Sequence, residues 1–503
     1  MINKNIKTKK LATGFVVTTV ALLLLMVTAC EDQLETKVYS QLTPENFYQS
    51  EGDFNAAVVT LYSPFGTDWG ATDVGGGGYY PNLYNANART YLMRSMLTTD
   101  EMENDNPAAQ ELFTWGPSTW QGNDETYFRI RFVARATGTI DNMTKSTSVS
   151  DDVKNTYVAQ AKVLRAWTMY ILYDFYGPVN AKYDPATLAD TKILPRPSDV
   201  EYTAQIEKDL TEAIPNLPDM YNSDEANWGR VSKGVARMLL LKLYMHTKQW
   251  AKAEAIGKEI MTMGYTLQSN YANIFKEQRN NEVIFAIDCD VATGARNWYP
   301  QHLFPADYAS SPIVTRGAGW YTDRMAWDFY DKYEANDQRT ETSIASYTNA
   351  SDGITDRDTG LRGPIPLKYT GIVGAGVGGA YPDDVVIFRL GEVYLSVAEA
   401  INEQRGPAEA YAYVNPIRSR AGVDNFTGMT KDQFRDAILD ERGRELYAEG
   451  VRRQDLIRHG KFVSKAQERG INATDKHILF PIPINVINEA QGVIEQNPGY
   501  TTE

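Results

Sequence analysis

Apolar residues recur at helical spacing from 153 to 176, where Tyr157, Ala161, Leu164, Ile171 and Phe175 form one stripe interrupted only by Thr168. Gly177-Pro178 closes that run, and a shorter helix fits 199–214. Residues 230–264 read as helix, turn at Lys248-Gln249-Trp250, then helix, ending at Gly264. Two more helix pairs follow, 387–421 with a break at Gly406-Pro407 and 430–461 with a break near Gly450. At the other end, Thr43 as N-cap and Pro44 at the first helical position predict a helix to Leu61, broken at Gly52. Elsewhere the period fails. Residues 66–90, with Gly75 to Gly78, and 104–123 read as loops. Between 265 and 385, short strand-like runs (283–287, 385–388) sit among Gly, Pro, Asn and aromatic residues.

Repeated helix pairs suggest a solenoid. Leu240, Tyr244 and Ala253 occupy three signature offsets of the 34-residue tetratricopeptide repeat, whereas Arg237 stands at its Trp position and Leu241 at its small position. A fourth pair can be assembled from 153–176 and 199–214. Stacked repeats need about three units to bury a continuous core, so four suffice. The expected fold is mainly α: a tetratricopeptide-like helix-pair scaffold over about 43–264 and 386–503, carrying a loop-rich, small-strand half over about 265–385. The competing reading is an unrelated all-α bundle.

The first thirty residues are an export signal. Lys4, Lys7, Lys9 and Lys10 precede the apolar run Leu11–Val27, and acidic Glu31 and Asp32 follow where a stop-transfer segment would carry basic residues. Val27-Thr28-Ala29-Cys30 resembles a bacterial lipobox, which implies a signal over 1–29, acylation of Cys30, a tether over 30–42 and one body over 43–503. Such a chain is attached to a membrane and does not span it. The formal net charge of the 503 residues is −14, and removing the signal lysines makes the body more acidic still. That argues against nucleic acid as a partner, since its binding rests on neutralising phosphates. Two cysteines exclude a disulfide scaffold, and Cys289, within an apolar stretch, reads as an inert core thiol.

Catalytic motifs are absent. Gly374, Gly376 and Gly379 formally fit G-x-G-x-x-G, but no strand–turn–helix surrounds them. His246, His302, His459 and His477 are scattered, so no His-based metal site is expected. Hydrolysis of a glycosidic bond would need two carboxylates flanking a cleft, and pairs such as Asp100/Glu101 or Asp383/Asp384 carry little information among 64 acidic residues. The alternating charges Glu441, Arg442, Arg444 and Glu445, then Arg452, Arg453 and Asp455, read as an internal ion-pair network rather than an anion site. No catalytic residue, metal or cofactor is implied.

The aperiodic stretches are rich in Trp and Tyr: Trp69, Tyr79, Tyr80, Tyr84, Trp115, Trp120, Trp298, Tyr299, Trp320 and Tyr321. Flat aromatic faces stack on the C–H faces of sugar rings while neighbouring Asn, Asp and Arg bond the hydroxyls. The candidate ligand-binding residues are Trp69, Tyr79, Tyr80, Asp100, Trp115, Trp120, Trp298, Trp320 and Tyr321.

Several segments resemble one family. They are Ala159 to Trp167 running into Tyr173 to Gly177, the strand-like Asn280 to Phe285, and the helix Arg389-Leu390-Gly391-Glu392-Val393-Tyr394-Leu395 to Ala400. The others are Asn415-Pro416-Ile417-Arg418-Ser419-Arg420-Ala421-Gly422, the charged run Glu441 to Leu456, and the ends Phe480 to Pro483 and Gln496 to Tyr500. With the lipoprotein start, the chain is similar throughout to the SusD/RagB family of outer-membrane nutrient-binding lipoproteins. It departs at Gly391, where Ala is usual, and at Pro416, inside a helical run. The resemblance implies four tetratricopeptide-like helix pairs and binding of an oligosaccharide without catalysis. It also implies a partner, a SusC-like TonB-dependent outer-membrane barrel, and a lipid-anchored position facing the cell exterior. Some relatives bind peptides, so a peptide ligand remains an alternative, as does a tetratricopeptide-type protein-interaction scaffold.

Overall fold

A computed structural model describes residues 47–68, 81–104, 110–118, 123–290, 296–314, 319–369 and 381–502. The chain divides after Tyr48, and everything below concerns the unit beginning at Gln49. The Gly-rich stretch 374–379, Cys30 and the signal lie outside the described residues.

Helices dominate. In chain order they are α1 (Glu51–Thr60), α2 (Tyr91–Leu97), α3 (Asn123–Tyr127), α4 (Ile130–Lys145), α5 (Asp151–Tyr176), α6 (Asp199–Ala213), α7 (Lys233–His246) and α8 (Trp250–Met261). After these come α9 (Asn273–Lys276), α10 (Tyr299–Leu303), α11 (Trp327–Tyr330), α12 (Leu390–Arg405), α13 (Tyr411–Ala421), α14 (Lys431–Leu446), α15 (Arg452–Arg458), α16 (Phe462–Glu468) and α17 (Ile484–Ala490). The strands are short: β1 (Met102–Asn104), β2 (Val283–Ile287), β3 (Tyr308–Ser310), β4 (Asp323–Met325), β5 (Ser343–Ile344), β6 (Ser346–Asn349), β7 (Ile354–Asp356), β8 (Ile365–Pro366) and β9 (Val385–Arg389).

The long helices form a serial stack. α4 packs on α5, α5 on α6, α6 on α7 and α7 on α8; α8 then packs on α12, and α12 on both α13 and α14. This is the tetratricopeptide-like scaffold. Its caps follow the sequence: Ser150 accepts from Val153 N–H ahead of Asp151 and Asp152, and Gly177 closes α5 at φ 70°. Gly257 allows the close approach of α8 and α12, because a Cβ there would collide with Val397. The excursion between α8 and α12 is the loop-rich half. Its stem is the antiparallel pairing of β2 with β9, which brings the two ends of the excursion together. Trp167 of α5 joins the two halves, its ring lying 5.2 Å from Phe285 and 5.0 Å from Phe388.

Some boundaries differ from the sequence pattern. Among the described residues of this unit the first helix, α1, starts at Glu51; Thr43 and Pro44 lie outside the described residues. Ser50 and Asp53 form a capping box, Asp53 N–H to Ser50 Oγ at 3.3 Å and Ser50 N–H to Asp53 Oδ2 at 2.8 Å. Gly52 therefore lies in the first turn and breaks nothing. Among the helices outside the pattern are α2 and α4. Gly138 and a run of threonines lower the intrinsic propensity of α4, and tertiary packing of Phe132, Val133, Ala136 and Ile140 overrides it. As a result α5 is flanked by both α4 and α6, not by 199–214 alone. Pro416 sits inside α13, which continues to Ala421.

The charged run 441–455 is an internal network, as its alternation suggests. Arg389, fully buried at the end of β9, donates to both oxygens of Glu449 at 2.8 Å, to Glu445 at 2.6 Å and to Glu282 at 3.1 Å. Glu445 and Glu441 lie one turn apart on α14. Arg339, from the loop-rich half, reaches Glu441 at 2.6 Å, Glu445 at 3.3 Å and Asp337 at 2.7 Å. Arg418 of α13 donates to Glu441 at 2.6 Å, and Arg420 binds Glu445 and Glu282. Burial alone would raise these glutamates, but the surrounding guanidiniums outweigh it and hold Glu441 and Glu445 at about 2, against an ordinary 4.5.

Removing one member leaves several charges buried and uncompensated. We expect Arg389→Met to lower unfolding free energy by about 3–5 kcal/mol, measured by denaturant titration. A folded-state value below the unfolded one means that the stabilising contribution is complete above about pH 4.5 and is lost as pH falls toward 2. The gap between wild type and Arg389→Met should therefore narrow in unfolding curves recorded from pH 5 to pH 3. A gap that is constant, or that widens, contradicts the assignment.

Candidate ligand-binding face

Among the described residues, the loop-rich half presents one wide aromatic side chain to solvent. Trp320 is 57% exposed, the most exposed aromatic among the large hydrophobic side chains that the described residues leave in solvent. Its backbone is anchored. The helix α10 ends with carbonyls that have no partner inside the helix, and the segment 319–322 supplies them. Trp320 N–H donates to Gln301 O at 2.7 Å, Thr322 N–H to His302 O at 2.8 Å, and Gly319 N–H to Pro305 O at 3.3 Å. This close approach requires glycine at 319, since a Cβ there would lie 2.6 Å from Phe304 O and 2.7 Å from Gln301 O.

The start of α10 is equally fixed. Asn297 is buried, and its Nδ2 donates to Tyr369 O at 2.6 Å and to Asp383 O at 3.0 Å. Its Oδ1 accepts from Tyr299 N–H at 2.9 Å, and its backbone exchanges two bonds with Tyr381. The neighbouring Trp298 is half-buried and donates from Nε1 to Asp68 at 3.3 Å. His302 lies one turn on, its ring edge-to-face with Trp320 at 5.0 Å and 78°. The imidazole Nδ1 is 3.0 Å from Thr322 Oγ1, and Thr322 in turn donates to Asp323 at 3.0 Å. Asp323 accepts from Asn104 at 2.7 Å across the β1–β4 pair. Trp298, His302 and Trp320 thus share one rigid turn-and-clasp unit, with hydrogen-bonding groups behind the rings.

Tyr321 supports this unit from beneath. It is buried and adopts φ 51°, an unusual conformation for an aromatic residue. Its hydroxyl donates to Gly363 O at 2.6 Å and accepts from Gly363 N–H at 3.1 Å. The Arg362 guanidinium lies 5.0 Å from its ring centroid. The left-handed turn sends Trp320 outward while Tyr321 points inward.

Two other sequence candidates face the interior. Trp115 is 6% exposed, donates from Nε1 to Tyr500 Oη at 2.7 Å and packs its ring 4.7 Å from Phe480. Asp100 is buried and bound by Arg452 at 2.8 and 3.0 Å and by Lys332 at 2.6 Å. Burial would raise its carboxyl, but those cations prevail and hold it well below the usual carboxylate range. Both residues act in packing and ion pairing, and neither has a surface left for a sugar. Trp69, Tyr79, Tyr80 and Trp120 lie outside the described residues. His302 is absent from the sequence candidates; its position four residues after Trp298 is the signal that puts the two on one helical face. Cys289 is a core thiol, buried beside Thr67, with its pKa raised by burial.

Comparison with known proteins agrees with this architecture. The SusD family profile matches residues 375–500, the part that contains α12 to α17 and most of the charged network. SusD-like protein P25 of Formosa agariphila is 26% identical, over 94% of this chain and 97% of that protein. Starch-binding protein SusD of Bacteroides thetaiotaomicron is 24% identical, over 98% and 100%. Among solved structures, a laminarin-binding SusD-like protein superposes with a TM-score of 0.72 at 23% identity, covering 90% of this chain and all of that one. Surface glycan-binding protein A from Bacteroides thetaiotaomicron, in complex with laminarihexaose, gives 0.70 at 22% identity, covering 89% and 99%. The chain is thus similar along nearly its whole length to SusD-like proteins, shares their helical fold, and matches the SusD family profile over its C-terminal part.

Proposed function

We propose that the protein captures oligosaccharide at the Trp298–His302–Trp320 face and delivers it, uncleaved, to a SusC-like TonB-dependent barrel. The observation that carries this reading is Trp320: a large apolar ring held in water on a backbone that hydrogen bonds and a required glycine keep rigid. Exposing such a ring has a cost that ligand stacking recovers, and a pre-ordered ring loses little entropy on binding. Trp298 with Asp68, and His302 with Thr322, place polar groups beside the rings for hydroxyls. Relatives whose names record binding of starch and laminarin support a glycan over a peptide. Attachment through acylated Cys30 to the outer membrane, facing outward, is part of the same proposal. No described helix is long and apolar enough to cross a membrane.

Binding to a panel of soluble polysaccharides, followed by affinity electrophoresis and by product analysis, tests it. Trp320→Ala should abolish or weaken retention at least about ten-fold while changing stability by no more than about 0.5 kcal/mol. Trp115→Ala should do the reverse, lowering stability by about 3–5 kcal/mol with retention preserved in the folded fraction. Gly319→Ala should weaken retention by displacing the clasp even though it removes no contact group. Undiminished retention in Trp320→Ala, or cleavage of the polysaccharide, overturns the proposal.

A further inference from the structure

A second cleft, lined by none of the residues of the Trp320 face, opens on the helical scaffold. It has a volume of about 680 Å3 and lies between α1, the first half of α5 and the segment 218–230. That size is within the range of about 300–1,000 Å3 that holds a small ligand.

Its floor is a set of hydrogen-bonding groups with fixed orientation. Arg230 donates from Nη1 to Gln160 Oε1 at 3.4 Å and from Nη2 to Asn55 Oδ1 at 2.7 Å. A guanidinium can only donate, so both amides must turn their oxygens toward it. Tyr62 reinforces this, because its hydroxyl accepts from Val231 N–H at 3.0 Å and donates to the same Gln160 oxygen at 3.1 Å. The Nε2 of Gln160 and the Nδ2 of Asn55 are left without hydrogen-bond partners among the described residues, although Gln160 is only 2% exposed and lines the cleft. Arg230 itself has no carboxylate within ion-pairing distance among the described residues.

The walls supply the complement. Tyr157 and Tyr221 offer half-buried rings, and carboxylates from Glu51, Asp152 and Asp224 supply acceptors. Three carboxylates against one guanidinium disfavour an anionic ligand. Oriented donors and carboxylate acceptors around two aromatic rings instead match a neutral ring bearing hydroxyls, each of which can donate and accept. We propose that this cleft is a second binding site, for a neutral hexose unit. It is independent of the Trp320 face.

Saturation-transfer NMR of the protein with the methyl glycosides of glucose, galactose and mannose, and with sodium glucuronate, tests it. Transfer to at least one neutral glycoside is expected. Transfer should persist in the double variant Trp298→Ala/Trp320→Ala, which removes the Trp320 face, and in that background Arg230→Met and Tyr221→Ala should each weaken it about ten-fold. If Arg230→Met lowers the melting temperature, Tyr221→Ala, a change in a half-buried loop residue, decides. No transfer to any neutral glycoside, or tighter binding of glucuronate, overturns the proposal. Loss in the Trp variant with retention in Arg230→Met also overturns it, and in that case the Trp320 face stands. Loss in Tyr221→Ala with retention in the Trp variant supports the cleft even where the Trp320 face fails.

Discussion

The buried guanidinium of Arg389 organises the molecule. It ends the strand that closes the loop-rich excursion and begins the helix that resumes the stack, and it binds glutamates from α14, from the following turn and from the stem of β2. Arg339 and Lys368, both from the excursion, reach two of the same glutamates, Glu445 at 3.3 Å and Glu449 at 2.7 Å. An ion network of this kind contributes little net stability compared with a hydrophobic core of equal volume, because desolvation opposes the Coulomb term. What it supplies is uniqueness of arrangement. Each carboxylate has its full set of donors only when the excursion and the stack are in one relative position. The same electrostatics leave Lys368 at about 8, lowered mainly by burial against the pull of Glu449.

The Trp320 face inherits its rigidity from that anchoring. Asn297 ties the start of α10 to Tyr369 and Asp383, which precede the return strand. The clasp 319–322 then completes the C-terminal carbonyls of α10 and orients Trp320. The chain of constraint runs from a buried ion network through a two-strand stem to a five-residue helix and an exposed ring. A site of this type does not depend on the mobility of long loops, even though it is built on them.

The cleft on the scaffold has a different origin. It arises where the segment between α6 and α7 crosses α1 and α5, and its polar floor is set by a single arginine that finds amides and no acids. One fold therefore presents two chemically distinct surfaces: an outward aromatic face and a polar cleft with two tyrosines. Arg230 also borders a neighbouring cleft of about 280 Å3 lined by Val59, Phe65 and Trp228, so the polar surface continues into an apolar one.

Much of this was legible in the residues. Helical period located α5, α7, α8 and α12 to α15; Gly406 and Gly450, both at positive φ, marked two of the breaks; and the strand-like runs 283–287 and 385–388 proved to be partners. Charge alternation along 441–455 announced the internal network, because side chains at helical spacing with alternating sign satisfy one another. These features are local, and local sequence determines them. The facing of the aromatics is not local. Trp115 and Trp320 occupy similar aperiodic, Gly-containing stretches, yet one is buried against Phe480 and Tyr500 and the other stands in water. Nothing near residue 115 encodes a partner some 385 positions away, and nothing near residue 320 encodes the carbonyls of α10. The sequence by itself determined most of the long helices, the stem strands and the likeness to SusD-like proteins; only tertiary packing decided which rings were buried and which stood in water.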